Sequence, residues 1–117
     1  MAWITRKFVR SHPDWVFAYG DNERRAGLGG QAGAMRGEPN AYGIRTKVRP
    51  SMAETAFWSD SDFKRCTAML KQDFAPLFSA ISEGKVIVLP ADGIGTGLSQ
   101  LPTRAPKIFS YIETLIS

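Results

Sequence analysis

The sequence predicts an α/β fold: a mostly parallel, mixed sheet with helices on both faces, three layers in all. Three observations carry that reading. Short β-rich apolar runs alternate along the chain with longer segments of helical spacing. The runs Trp15–Tyr19 (WVFAY) and Lys85–Leu89 (KVIVL) are almost continuously apolar, as in strands covered on both faces. Each passes into a glycine-dense turn and then a helix-like pattern, the order expected at the carboxyl end of a parallel strand. At 117 residues the chain fits one domain, 1–117, large enough for a hydrophobic core.

Taken in order, Trp3–Val9 alternates imperfectly and reads as a first, edge strand, closed by the turn residues His12-Pro13-Asp14. Trp15–Tyr19 is a buried central strand that ends at Gly20, and Gly30–Arg36 is a short helix after the glycine turn. Gly37-Glu38-Pro39-Asn40 breaks the chain before a strand over Ala41–Thr46; Lys47–Ala53 is loop. Ser59–Asp62 supplies N-cap candidates for a long helix. Its apolar stripe is Phe63, Cys66, Leu70, Phe74, Leu77, Phe78 and Ile81. Pro76 is expected to kink or split that helix, and Ser82-Glu83-Gly84 to end it. Lys85–Leu89 is the strongest strand pattern, expected to be central and parallel. Thr103 is the expected cap of a last helix whose core face is Ile108, Phe109, Ile112, Leu115 and Ile116.

Composition narrows the function classes. An apolar content of 44% argues against a disordered chain. No apolar run reaches the roughly 18 residues of a membrane span, and the first residues lack the apolar core of a secretory signal. A single cysteine, Cys66, and a single histidine, His12, are too few for a zinc site, a Ser–His or Cys–His pair, or an internal disulfide. Cys66 reads as a small core residue, and a cytoplasmic protein is the expectation, with no cofactor or metal implied. The net charge of +4 favours anionic partners but is too modest to demand nucleic acid.

The glycine turns, FAYGDNERRAGLGGQAG (17–33) and LPADGIGTGL (89–98), are the informative feature. Glycine permits positive φ and close approach of backbone N–H groups to a ligand, and a following helix adds its positive end. Both turns read as phosphate cradles; two ordinary strand-to-helix turns are the alternative. Gly27-Leu28-Gly29-Gly30-Gln31-Ala32 formally satisfies the dinucleotide fingerprint, yet the turn is too long and Thr46-Lys47 stands where a ribose-binding acid belongs. A Gly-Lys-Ser/Thr phosphate loop is absent.

Together the two turns resemble those of the macrodomains, the ADP-ribose-binding fold. That family has a strand leading to an asparagine, a Gly-rich loop and a short Ala/Gly helix, matched here by Val16–Tyr19, Asn22 and Gly27–Ala34. Its second loop follows an apolar strand ending in proline, matched by Val86–Pro90 and Gly93-Ile94-Gly95-Thr96-Gly97-Leu98. The flavour is closest to macrodomain ADP-ribosyl glycohydrolases acting on protein carboxylates or DNA, with a Thr-Lys strand end (Ile44-Arg45-Thr46-Lys47) and a Gly-x-Gly-Leu loop. The resemblance implies ADP-ribose, or ADP-ribosylated protein or DNA, as partner, with Lys47 facing the distal ribose. Its ligand-binding set would be Asp21, Asn22, Gly29, Gly30, Gln31, Thr46, Gly93, Ile94, Gly95, Thr96, Gly97 and Leu98. Ser99 replaces the aspartate of the protein-directed enzymes, Asp92 lies in the same loop, and Trp3-Ile4-Thr5 only loosely echoes the adenine-binding segment.

Chemically, the Asn22 amide suits ribose hydroxyls or caps its own turn, and Asp21 orients it or makes an Asx turn. Lys47 is a nucleophile if desolvation or a cationic neighbour (Arg45 and Arg49 being two residues away) neutralises it; otherwise it is an electrostatic partner of phosphate or a solvated strand-end lysine. Asp92 is a general base or a cap of its own loop. Arg24, Arg25 and Arg36 are phosphate partners or surface charges, and Tyr19, Phe57 or Trp58 either stacks on a base or fills the core. The competing functions are glycohydrolase, non-catalytic ADP-ribose or nucleotide sponge, and nucleic-acid adaptor using the basic clusters.

Overall fold

The computed structural model describes residues 4–90 and 93–116. The chain runs α1 (Arg6–Ser11), β1 (Val16–Asn22), α2 (Ala32–Met35), β2 (Ala41–Lys47), two single 3₁₀ turns at Glu54–Ala56 and Asp60–Asp62, α3 (Phe63–Ser82), β3 (Ile87–Val88), α4 (Leu101–Arg104) and α5 (Pro106–Ile116). The strands form one parallel sheet in the order β2-β1-β3. Alternation along β1 sends Phe17 and Tyr19 to one face and Val16 and Ala18 to the other. The first pair packs with Val9, Ala32 and Met35 under α1 and α2. The second joins Ile44, Trp58, Leu70, Phe74, Ile108 and Ile112 under α3 and α5. Helices on both faces give the expected three-layer α/β architecture. The expected mixed character reduces, among the described residues, to one antiparallel bridge between Lys47 and Phe57.

The first expected strand is instead α1. Thr5 caps it, its hydroxyl accepting from the Phe8 N–H at 3.1 Å, and Val9 is fully buried. Trp3 lies outside the described residues. An alternation this short does not separate periods of two and 3.6, and the cap decided. Glu38, nearly buried, anchors the helix by accepting from both Arg6 and Arg10.

Two strand ends also differ. β1 does not stop at Gly20 but continues through Asp21 and Asn22, and Lys47 is the last residue of β2 rather than the start of a loop. A register irregularity sits between Asp21, opposite Arg45, and Asn22, opposite Lys47. Such bulges turn side chains at a strand end. Lys85–Leu89, expected to be central, contributes only the two-residue edge strand β3, and β1 takes the centre. Apolar character reports burial by any layer, and Ile87 and Leu89 find theirs against the α3 and α5 core.

The helix α3 runs unbroken through Pro76. Buried Leu70, Phe74, Leu77 and Ala80 on both sides of the proline hold it against the core, which offsets the lost hydrogen bond. Of its expected stripe, Cys66, Leu70, Phe74 and Leu77 are buried, whereas Phe63, Phe78 and Ile81 are exposed. Thr103 lies inside α4. The cap of α5 is Asp60, whose carboxylate accepts from the Lys107 and Ile108 N–H groups at 3.1 Å each. Pro106 takes the first helical position, where it lacks no bond. In α5, Ile108 and Ile112 are buried, Phe109 and Leu115 flank them, and Ile116 is exposed.

The outer edge of β2 is closed by α3. Asp73 accepts from the Arg45 N–H at 2.7 Å and pairs with the guanidinium groups of Arg45 (2.9 Å) and Arg25 (2.8 Å). A helix side chain thereby covers donors that an edge strand otherwise leaves open. Removing this carboxylate strands a part-buried N–H, but the two arginines, being partly exposed, rehydrate. Asp73→Ala is therefore expected to cost about 2 kcal/mol in chemical denaturation, against well under 1 kcal/mol for an ordinary surface pair.

Candidate functional site

At the carboxyl ends of β1 and β2 the chain encloses a cleft of about 480 Å³. Both glycine turns line it, Gly27–Gly30 from one side and Gly93, Gly95 and Gly97 from the other, with Lys47 and Pro50–Met52 between them. The turns lie close together: a Cβ on Gly29 would come within 3.0 Å of Leu98 Cδ1. The two ends of the polypeptide thus meet at one site, outside the carboxyl ends of parallel strands.

The first turn is shaped by Asn22, Asp21 and Arg36. The Asn22 amide donates to Ala26 O at 2.7 Å and its oxygen accepts from the Arg24 N–H at 3.0 Å, closing an Asx turn. Asp21, whose side chain has no exposed surface, pairs with Arg36 at 2.6 Å and Arg25 at 3.2 Å. Arg36 then donates to Gly27 O at 2.9 Å and Ala26 O at 3.1 Å, pinning the turn to the end of β1. Gln31 faces the cleft, but both ends of its amide bond the Ile4 main chain, at 3.0 and 2.9 Å. Gly30 has φ 57°, which glycine adopts without strain.

In the second turn, Ile94 points away from the cleft into the core and is almost completely buried. Its neighbour Gly95, at φ 88°, accepts from the Leu101 N–H at 3.0 Å. A Cβ on Gly95 would lie 2.5 Å from Leu101 Cδ1. Gly93, Thr96, Gly97 and Leu98 line the cleft. Asp92 lies outside the described residues. Thr46 is fully buried behind the cleft wall, its hydroxyl bonded to Asp21 O and to Ser99, so Ser99 ties the second turn to the sheet. Among the described residues, the main-chain N–H groups of Gly29, Gly30, Gly97 and Leu98 have no hydrogen-bond acceptor.

Lys47 is the site's unusual charge. Although it lines the cleft, it is 6% exposed, and among the described residues its ammonium meets no carboxylate. It donates to Ser51 O at 2.5 Å, contacts Met52 Sδ at 3.7 Å and lies 4.5 Å from the centre of the Phe57 ring. Burial, aided by the nearby Arg104 guanidinium, lowers its pKa below the ordinary lysine value. The cationic neighbour is therefore neither Arg45, taken by Asp73, nor Arg49, bonded to Thr55. Arg104 sits 3.6 Å from the Phe57 ring and is held by Glu54 at 2.8 Å. Sequence reasoning missed it because α4 lies more than fifty residues beyond Lys47, and an arginine in a last helical turn carries no mark of such a contact. None of the three candidate rings is free for stacking. Phe57 lies under the two cations, Tyr19 under Arg36, and fully buried Trp58 donates to Glu23 at 2.8 Å.

Two consequences are measurable. A buried ammonium without a counter-ion opposes folding, so Lys47→Met is expected to raise the thermal midpoint, by about 0.5–2 kcal/mol of stability. The folded protein releases the Lys47 proton at lower pH than the unfolded chain does. Wild-type stability therefore gains on the variant between the depressed value and 10.5, and the gap narrows as pH rises through that window. Melting curves of both proteins at neutral and alkaline pH check this. Gly95→Ala, forced against Leu101 at positive φ, is expected to lose about 1–3 kcal/mol, read from the same curves.

Among the described residues no helix is long and apolar enough to cross a membrane, and no cluster of three or more metal-ligating side chains occurs. No curated protein and no solved structure matches the chain. One family matches across residues 1–115, nearly the whole length: the chain belongs to DUF7831, a family of unknown function.

Proposed function

We propose that the cleft binds ADP-ribose or a related diphosphate nucleotide, the diphosphate lying between the two glycine turns. The observation that carries this is the placing of both turns around Lys47, a buried cation that meets no carboxylate among the described residues. Among the described lining residues the charges are Asp21, Arg36 and Lys47, and Asp21 is already neutralised by two guanidinium groups. An anion supplies the missing counter-charge to Lys47, and unpaired main-chain N–H groups at the turns are suited to its oxygens. The volume lies within the roughly 300–1,000 Å³ of small-molecule sites.

The same reading extends to hydrolysis of ADP-ribosyl links on protein or DNA, with Lys47 at the distal ribose and Asp92 as base. Binding without turnover is the second reading. It is favoured by Asp21, both of whose carboxylate oxygens are held by arginines, and by Asn22, whose amide is spent on its own turn.

Calorimetric titration with ADP-ribose, NAD, AMP and phosphate tests the site. ADP-ribose is expected to bind most tightly, and Lys47→Gln to weaken it about tenfold or more. Equal affinity in wild type and Lys47→Gln removes the role of Lys47, and absence of any binding removes the proposal. Incubation with an ADP-ribosylated peptide and with ADP-ribosylated DNA, read by release of ADP-ribose, separates enzyme from binding module.

A further inference from the structure

Resting on the nucleotide reading above, we infer that the cleft recognises nucleoside diphosphates without discriminating the base: apolar side chains cover the ring, and no side chain among the described residues reads its edge. Three large hydrophobic residues rim the cleft while largely open to solvent: Leu28 (70% exposed), Met52 (56%) and Leu98 (55%). They come from three different segments, the two glycine turns and the loop after β2, and converge on one opening. Exposed apolar groups gathered around a polar, cationic floor fit a ligand that is charged at one end and flat and apolar at the other.

Base selectivity requires hydrogen-bonding side chains held ready for particular donors and acceptors. The amides that line this cleft are already engaged within the protein. Asn22 bonds Ala26 O and the Arg24 N–H, and Gln31 bonds the Ile4 N–H and C=O. The Ser99 hydroxyl is bonded to Thr46, the Ser51 hydroxyl accepts from the Ala53 N–H, the Thr96 hydroxyl donates to Gly93 O, and Arg36 is spread over Asp21, Ala26 O and Gly27 O. Sites that reject an analogue strongly do so because a dedicated polar group is left unpaired, whereas apolar contact discriminates weakly. Leu28, Met52 and Leu98 offer contact of the second kind, equally good for purine and pyrimidine faces.

The test is calorimetry with ADP, GDP, CDP, UDP and pyrophosphate on the wild-type protein and on the Leu28→Ser/Leu98→Ser double variant. The four nucleotides are expected to agree within about fivefold, and each to bind at least about tenfold tighter than pyrophosphate. The double variant is expected to weaken all four by a similar factor, about tenfold, and to leave pyrophosphate unchanged. Both leucines are exposed, so the fold is retained, which an unchanged circular dichroism spectrum checks; Leu98→Ser alone repeats the measurement with a smaller change. One base binding fiftyfold tighter than the rest overturns the inference, as does a double variant that spares the nucleotides. Pyrophosphate binding as tightly as the nucleotides overturns it while leaving the anion cradle in place. Failure of every ligand, ADP-ribose included, overturns the nucleotide reading and this inference with it.

Discussion

Asp21 is the charge around which the site end of the molecule is built. Its carboxylate, without exposed surface, sits at the end of the central strand and is held by Arg36 from α2 and Arg25 from the first glycine turn. Each arginine reaches further. Arg36 grips the carbonyl groups of Ala26 and Gly27, and Arg25 reaches Asp73, which closes the outer edge of β2. Loop, sheet and long helix thus share one ionic network, with more donors than a single surface pair provides. Gly43 is part of the same arrangement: a Cβ there would collide with the Asp21 carboxylate and crowd Arg25. The network fixes the shape of a loop that would otherwise have only glycine-rich backbone to define it.

The cleft lies against this rigid frame and is electrically its opposite. Where Asp21 has too many partners, Lys47 has no acidic one among the described residues, and the charge that acts on it is another cation, Arg104. Such an arrangement works against folding and is retained at a position facing a cavity, where stability and function commonly conflict. Phe57 softens the conflict by presenting its ring to both Lys47 and Arg104. Glu54 holds Arg104 from the solvent side, so the pair of cations does not drift apart.

Much of this was legible residue by residue. Both glycine turns, the strand at Trp15–Tyr19 and the long helix follow from local pattern, because glycine placement and apolar period are properties of neighbouring residues. The roles of Asn22 and Gln31 were not legible. An amide offers the same donors and acceptors to a ligand as to its own backbone, and only the position of Ala26 O and of the Ile4 main chain decides. Likewise Ile94 sits in a glycine loop yet belongs to the core. The helix α1 was misread because a six-residue segment with one cap carries too little periodicity to distinguish it from a strand.

By itself the sequence determined the α/β class and the two glycine turns after apolar runs, since each depends on residue type and short spacing. The tertiary structure decided that the turns share a cleft, that β1 and not Lys85–Leu89 takes the centre of the sheet, and that Arg104 rather than Arg45 or Arg49 neighbours Lys47. These are contacts between segments tens of residues apart, fixed by how layers pack and which charges find partners, and no local pattern encodes them.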